Sequence, residues 1–130
     1  MATILLLDDC VELSLCVRVL NACGHTCYHF DSAQEILKRV LIERPDLVVI
    51  NPHLQDGEGM RALHALKEFD SDLTVVLYTD ASLFGDSCGY FIADGVLVKQ
   101  AKHTQLISFI ESKFGQDTVS DVAPFHEFYF

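Results

Sequence analysis

The sequence predicts an α/β fold of the doubly wound kind, with a parallel sheet between two layers of helices. Short apolar runs of strand length alternate with segments of helical periodicity, five of each. The run Leu47-Val48-Val49-Ile50 lacks polar alternation, which suits a strand buried on both faces. The runs also end on polar residues: Asp8-Asp9, Asn51, Thr79-Asp80 and Lys99. Ligands of open parallel sheets bind beyond the carboxyl ends of the strands, so these groups gather at one functional edge.

The first strand is Thr3 to Leu7. A helix from about Val11 to Ala22 follows, with Val11, Leu13, Leu15, Val17 and Leu20 broadly at helical spacing and Gly24 as its stop. Thr26 to Phe30 reads as a short strand whose mixed polarity suits an edge. Ser32-Ala33-Gln34-Glu35 is a capping box opening a second helix, in which Ala33, Ile36, Leu37, Val40 and Leu41 form the apolar face. Pro45 interrupts the chain before the central strand, because proline lacks the donor a continuing helix needs.

A glycine-rich loop, Pro52 to Gly59, leads to a third helix from about Met60 to Phe69, burying Met60, Leu63 and Leu66. Leu73 to Tyr78 is the fourth strand. The fourth helix, about Leu83 to Ala93, contains Gly85 and Gly89, each costing about 1 kcal/mol relative to alanine. Phe84, Tyr90, Phe91 and Ile92 supply its packing. Val96 to Val98 is the fifth strand, and Thr104 to Phe114 the fifth helix, with Leu106, Ile107, Ile110 and Phe114 inward and Gly115 at its end. Residues 1–115 thus form one domain. Residues 116–130 are a tail or linker, polar at first and then aromatic at Phe125, Phe128, Tyr129 and Phe130.

Composition narrows the function. A chain of 130 residues that is 50% hydrophobic, with mean hydropathy +0.25, supports an ordinary core. No apolar run approaches the ~20 residues that span a bilayer, and no basic region opens the chain, so a soluble cytoplasmic protein is expected. The net charge of −10 repels a phosphate backbone and argues against direct nucleic-acid binding. Cys10, Cys16, Cys23, Cys27 and Cys88 are odd in number and mostly at apolar positions, as in a reduced set of small core residues.

The strand-end residues resemble the receiver domain of response regulators in bacterial two-component signalling, over roughly residues 2–115. The resemblance implies the flavodoxin-like receiver fold, with strand order 2-1-3-4-5 flanked by five helices. It implies a Mg²⁺ site in which Asp9 is the direct ligand, Asp8 acts through water and His53 lends a backbone carbonyl. Thr79 and Lys99 match the residues that contact the phosphoryl group. Asn51 stands where the family has the aspartate that accepts it.

That asparagine changes the chemistry. A carboxylate oxygen attacks phosphorus, whereas an amide oxygen is weakly nucleophilic. The pocket loses one negative charge, so Mg²⁺ binding should weaken, and Lys99 is expected to pair with Asp9. Pro52 has no N–H to attack the Asn51 amide, which closes the usual deamidation route back to aspartate. Val96 replaces the aromatic that receivers commonly place three residues before the lysine. Gln100 replaces the following proline and favours a trans peptide bond.

The expected protein is a phosphorylation-independent pseudo-receiver, not an enzyme. It would act on a histidine kinase or output protein, with pairing of two copies through the fourth-helix, fifth-strand and fifth-helix face. Two alternatives stand beside it: a receiver phosphorylated on Asp8, Asp9 or Asp56, and a conventional receiver with an engineered Asn51, against which Val96 and Gln100 speak. Other chemistries fare worse. Cys23, His25, Cys27 and His29 lack the separated pairs of structural zinc sites, and no Gly-rich loop ending in Lys-Ser or Lys-Thr appears. The charge of two aspartates beside Cys10 disfavours a reactive thiolate.

Overall fold

The computed structural model describes residues 1–80, 92–99 and 103–115. Five parallel strands form one sheet: β1 (Thr3–Leu7), β2 (Thr26–Phe30), β3 (Leu47–Ile50), β4 (Val75–Thr79) and β5 (Gly95–Val98). Their order is β2-β1-β3-β4-β5, with β1 central between β2 and β3. Among the described residues there are four α-helices: α1 (Leu13–Ala22), α2 (Ala33–Glu43), α3 (Glu58–Phe69) and α4 (Thr104–Phe114). The sequence predicts five. Its fourth, at Leu83–Ala93, lies outside the described residues except for Ile92 and Ala93, which pack against the core. The tail, Cys88 and Gln100 also lie outside them. Helix α4 corresponds to the predicted fifth helix.

Strand alternation divides the core in two. Ile4, Leu6, Leu47, Val49, Val76, Tyr78 and Leu97 face α1 and α4. Leu5, Leu7, Val48, Ile50, Val75 and Leu77 face α2 and α3. Successive side chains of a strand point to opposite faces, so an uninterrupted apolar run supplies both layers.

Several boundaries and faces differ from the sequence reading. Residues 11 and 12 belong to a turn, in which Leu13 N–H reaches Cys10 O and Ser14 N–H reaches Val11 O, both at 3.1 Å. Helix α1 therefore buries Leu13, Cys16 and Leu20, leaving Val11 82% and Leu15 60% exposed. In α2, Leu41 also faces solvent. Strand β4 starts two residues late because Leu73 N–H closes a turn onto Asp70 O at 3.1 Å. Helix α3 starts early, since Gly57 takes the left-handed conformation before it (φ 70°).

Caps and cross-links fix the layers. Ser32 Oγ accepts the Glu35 N–H at 3.4 Å, one half of the capping box, while Glu58 Oε1 of α3 accepts the Ala33 N–H at 3.0 Å. His25 is buried between the start of β1 and α4. Its Nδ1 accepts the Ala2 N–H at 3.1 Å, so Nε2 carries the proton and donates to Glu111.

Candidate functional site

Hydrogen bonds continue the sheet ladder one residue beyond three strand ends. Asp8 N–H donates to Phe30 O (2.9 Å), Asn51 N–H to Leu7 O (2.8 Å) and Lys99 N–H to Thr79 O (2.8 Å). Asp8, Asn51 and Lys99 therefore inherit strand parity. Each lies two residues beyond Leu6, Val49 or Leu97, on the face that carries Tyr78 and packs against α1 and α4.

That parity decides the ion pair. Lys99 Nζ lies 2.8 Å from Asp8 Oδ2, where the sequence reading expects Asp9. Asp8 is buried and Asp9, one residue on, is exposed. Alternation alone accounts for the correction, because adjacent residues of an extended segment point oppositely. Asp8 Oδ2 has no hydrogen bond in good geometry, so this contact is a charge pair. Lys99 Nζ also stands 5.5 Å above the Tyr78 ring.

The other oxygen of Asp8 accepts two N–H groups. Cys10 N–H donates to Oδ1 at 3.1 Å, a turn in which an aspartate caps its own chain two residues on. Asn51 Nδ2 donates to it at 3.2 Å, and Asn51 Oδ1 accepts the His53 N–H at 2.9 Å. A carboxylate only accepts and a backbone N–H only donates, so the chemistry fixes the orientation of the Asn51 amide. His29 Nε2 donates to the Asp8 carbonyl at 2.8 Å.

Gly59, at the start of α3, is placed by close approach. A Cβ there would meet Asn51 O at 2.0 Å and Pro52 Cα at 2.9 Å. Helix α3 thus presses its backbone onto the Asn51–Pro52 link, a contact only glycine allows.

The remaining predicted residues scatter. Thr79 is fully buried with the parity of Val75 and Leu77, facing α2 and α3, and its hydroxyl donates weakly to Asp80 O at 3.5 Å. Val96 is half-buried against the same layer. His53 and Asp56 are exposed, and Asp56 sits in the Gln55–Gly57 turn with φ 60°. Asp8 and Asp9 line a cleft of ≈ 340 Å³ with Val11, His29, Phe30, Asp31 and Glu35. The cysteines and histidines of 23–29 diverge: Cys23 is exposed, Cys27 buried, and His25 and His29 bond to different groups.

Oxygen donors of the kind Mg²⁺ takes are present in Asp8, Asp9 and the His53 carbonyl. The arrangement does not suit the ion as it stands. Asn51 aims an N–H at Asp8 Oδ1, where a cation needs oxygen, and Lys99 already holds Oδ2.

Sequence reasoning missed His29, Gly59 and the pairing of Lys99 with Asp8. Strand parity would have yielded the last, and the Asx turn at Asp8 was legible from spacing. Nothing local marks the close approach at Gly59 or the bond from His29 to the Asp8 carbonyl.

No family model matches the chain, and no curated protein matches it. Solved structures do. The response regulator TrrA of Thermotoga maritima, in complex with Mg²⁺-BeF, superposes with TM-score 0.74 at 21% identity, covering 88% of this chain and all of TrrA. TrrA bound to the histidine kinase ThkA matches at TM-score 0.72 and 21% identity, over 85% of this chain and 97% of TrrA. NtrX of Brucella abortus matches at TM-score 0.74 and 25% identity over 85% of this chain, which spans only 26% of NtrX. The chain therefore has the flavodoxin-like fold of response-regulator receiver domains, with its polar strand ends gathered at the edge where such sheets bind ligands.

Proposed function

We propose that this chain is a receiver-like module of two-component signalling that acts by binding a protein partner and does not accept a phosphoryl group. The observation that carries the reading is the Asn51 amide, with Nδ2 on Asp8 Oδ1 and Oδ1 on the His53 N–H. The pair of bonds needs an amide: a carboxylate here could accept the His53 N–H but would oppose Asp8. Asn51 and Lys99 together hold Asp8 without a metal ion. Mg²⁺ binding is accordingly weak, and the chain performs no catalytic step of its own.

Partner binding has support on α1. Val11 in the preceding turn and Leu15 and Val19 on the helix are exposed and recur every fourth residue, forming an apolar stripe. TrrA, of like fold, is bound by a histidine kinase, and a kinase or output protein of that kind is the partner we propose here. Pairing of two copies through β5 and α4 is the second mode.

The test is intact mass after incubation with a small phosphodonor and Mg²⁺, with Asn51→Asp alongside. Gain of a phosphoryl group by the variant alone supports the reading. Gain by the unaltered chain, mapped to Asp8, Asp9 or Asp56, overturns it.

A further inference from the structure

Beside the strand-end pocket, on the α1 and α4 side, three ligand-type side chains converge from opposite ends of the chain. Cys10 Sγ lies 3.8 Å from His103 Nε2 and 3.8 Å from Glu12 Oε1, and His103 Nε2 lies 3.6 Å from Glu12 Oε1. Among the described residues, no other group of three or more His, Cys, Asp or Glu side chains has its ligand atoms so close. We infer that Cys10, Glu12 and His103 form a site for a thiophilic divalent cation, with Zn²⁺ the expected occupant.

Geometry is the first argument. Metal–ligand bonds of about 2.3 Å to sulfur and about 2.0 Å to nitrogen or oxygen place tetrahedral ligands about 3.3–3.6 Å apart. The observed triangle is a few tenths of an ångström wider on each side. Three protein ligands leave the fourth position to water, the usual arrangement of an open zinc site.

The chemistry of each ligand agrees. His103 is buried, and its Nδ1 meets the Tyr78 hydroxyl at 2.5 Å. Tyr78 is buried under the sheet edge, and burial raises its pKa, so the phenol stays neutral and can accept the Nδ1–H. With the Tyr78 hydroxyl accepting the Nδ1–H, the Nε2 lone pair faces Cys10 and Glu12, the outer-shell arrangement that orients metal-binding histidines. On binding, the Cys10 S–H bond breaks, its proton goes to solvent and a sulfur–metal bond forms. A divalent cation bound at the sulfur stabilises it as the thiolate. One thiolate and one carboxylate neutralise the cation.

His103 also holds a left-handed backbone (φ 55°, ψ 15°) immediately before α4, uncommon for a residue with a Cβ. The site would therefore clip the start of α1 to the start of α4, four residues beyond Lys99. It is independent of whether Asn51 blocks phosphorylation.

The test titrates the reduced, metal-free full chain with Co²⁺ alone and then displaces it with Zn²⁺. A thiolate-to-cobalt absorption band saturating at one equivalent is expected. It should vanish in Cys10→Ser and survive in Cys23→Ser, which alters an exposed cysteine away from the cluster. His103→Gly tolerates the left-handed backbone and should weaken Co²⁺ binding at least about 100-fold. Tyr78→Phe should weaken it by about 10-fold. Circular dichroism confirms that each variant folds. Absence of the band, its persistence in Cys10→Ser or its loss in Cys23→Ser overturns the assignment.

Discussion

Asn51 Nδ2 donates to Asp8 Oδ1 across 3.2 Å, joining the ends of β3 and β1 through one amide hydrogen. This bond lets a buried carboxylate sit at the sheet edge with Lys99 beside it. An aspartate at position 51 would put two carboxylates in contact. One of them would then ionise less readily in the folded chain than in the unfolded one.

Asn51→Asp should therefore cost about 2 kcal/mol of stability at pH 7 without metal, the worth of a hydrogen bond to a charged group. The folded-state pKa of the new pair is raised, so the deficit is absent below the unfolded carboxylate value of about 4 and grows as pH rises through the folded one. Mg²⁺ should restore much of the loss. Urea titrations with and without Mg²⁺ read all three effects, and calorimetry should find tighter Mg²⁺ binding than in the unaltered chain.

Removing Lys99 isolates a buried charge. Lys99→Met should destabilise by about 3 kcal/mol, since breaking a buried pair leaves the other ion uncompensated. Adding Asp8→Asn should recover part of that loss, whereas additive losses in the double-mutant cycle would mean that the two groups are not coupled.

Gly59→Ala should lower stability by about 3 kcal/mol or more, because its methyl meets backbone at 2.0 Å that no rotamer can move. Helix α3 or the Asn51–Pro52 link must shift. Thermal unfolding measures the cost, and an unchanged midpoint would place α3 elsewhere.

Burial pushes the Cys27 thiol from 9.0 up to about 12, with Cys16 adding to the effect. The folded chain then holds this proton where the unfolded chain loses it, so unfolding free energy should fall as pH rises from 9 toward 12. Alkylation of the native chain at pH 8 should modify exposed Cys23 and spare Cys16 and Cys27, as peptide mapping would record.

Much of this protein was legible in local pattern. The apolar runs located the strands to within about two residues, and Ser32 with Glu35 located the start of α2, because propensity and capping act over a few neighbouring residues. Burial on α1 was less legible. Val11 and Leu15 are apolar yet exposed, since the strength of a hydrophobic pattern does not say which stripe meets the sheet.

The sequence by itself determined an α/β sheet with charged and polar strand ends, and an asparagine among them. Only the tertiary structure decided that Gly59 presses on Asn51 and that His103 reaches Cys10 from 93 positions further along the chain. The reason is physical. Side-chain chemistry is written residue by residue, but which groups touch depends on strand parity and on how helices from distant parts of the chain pack over one sheet.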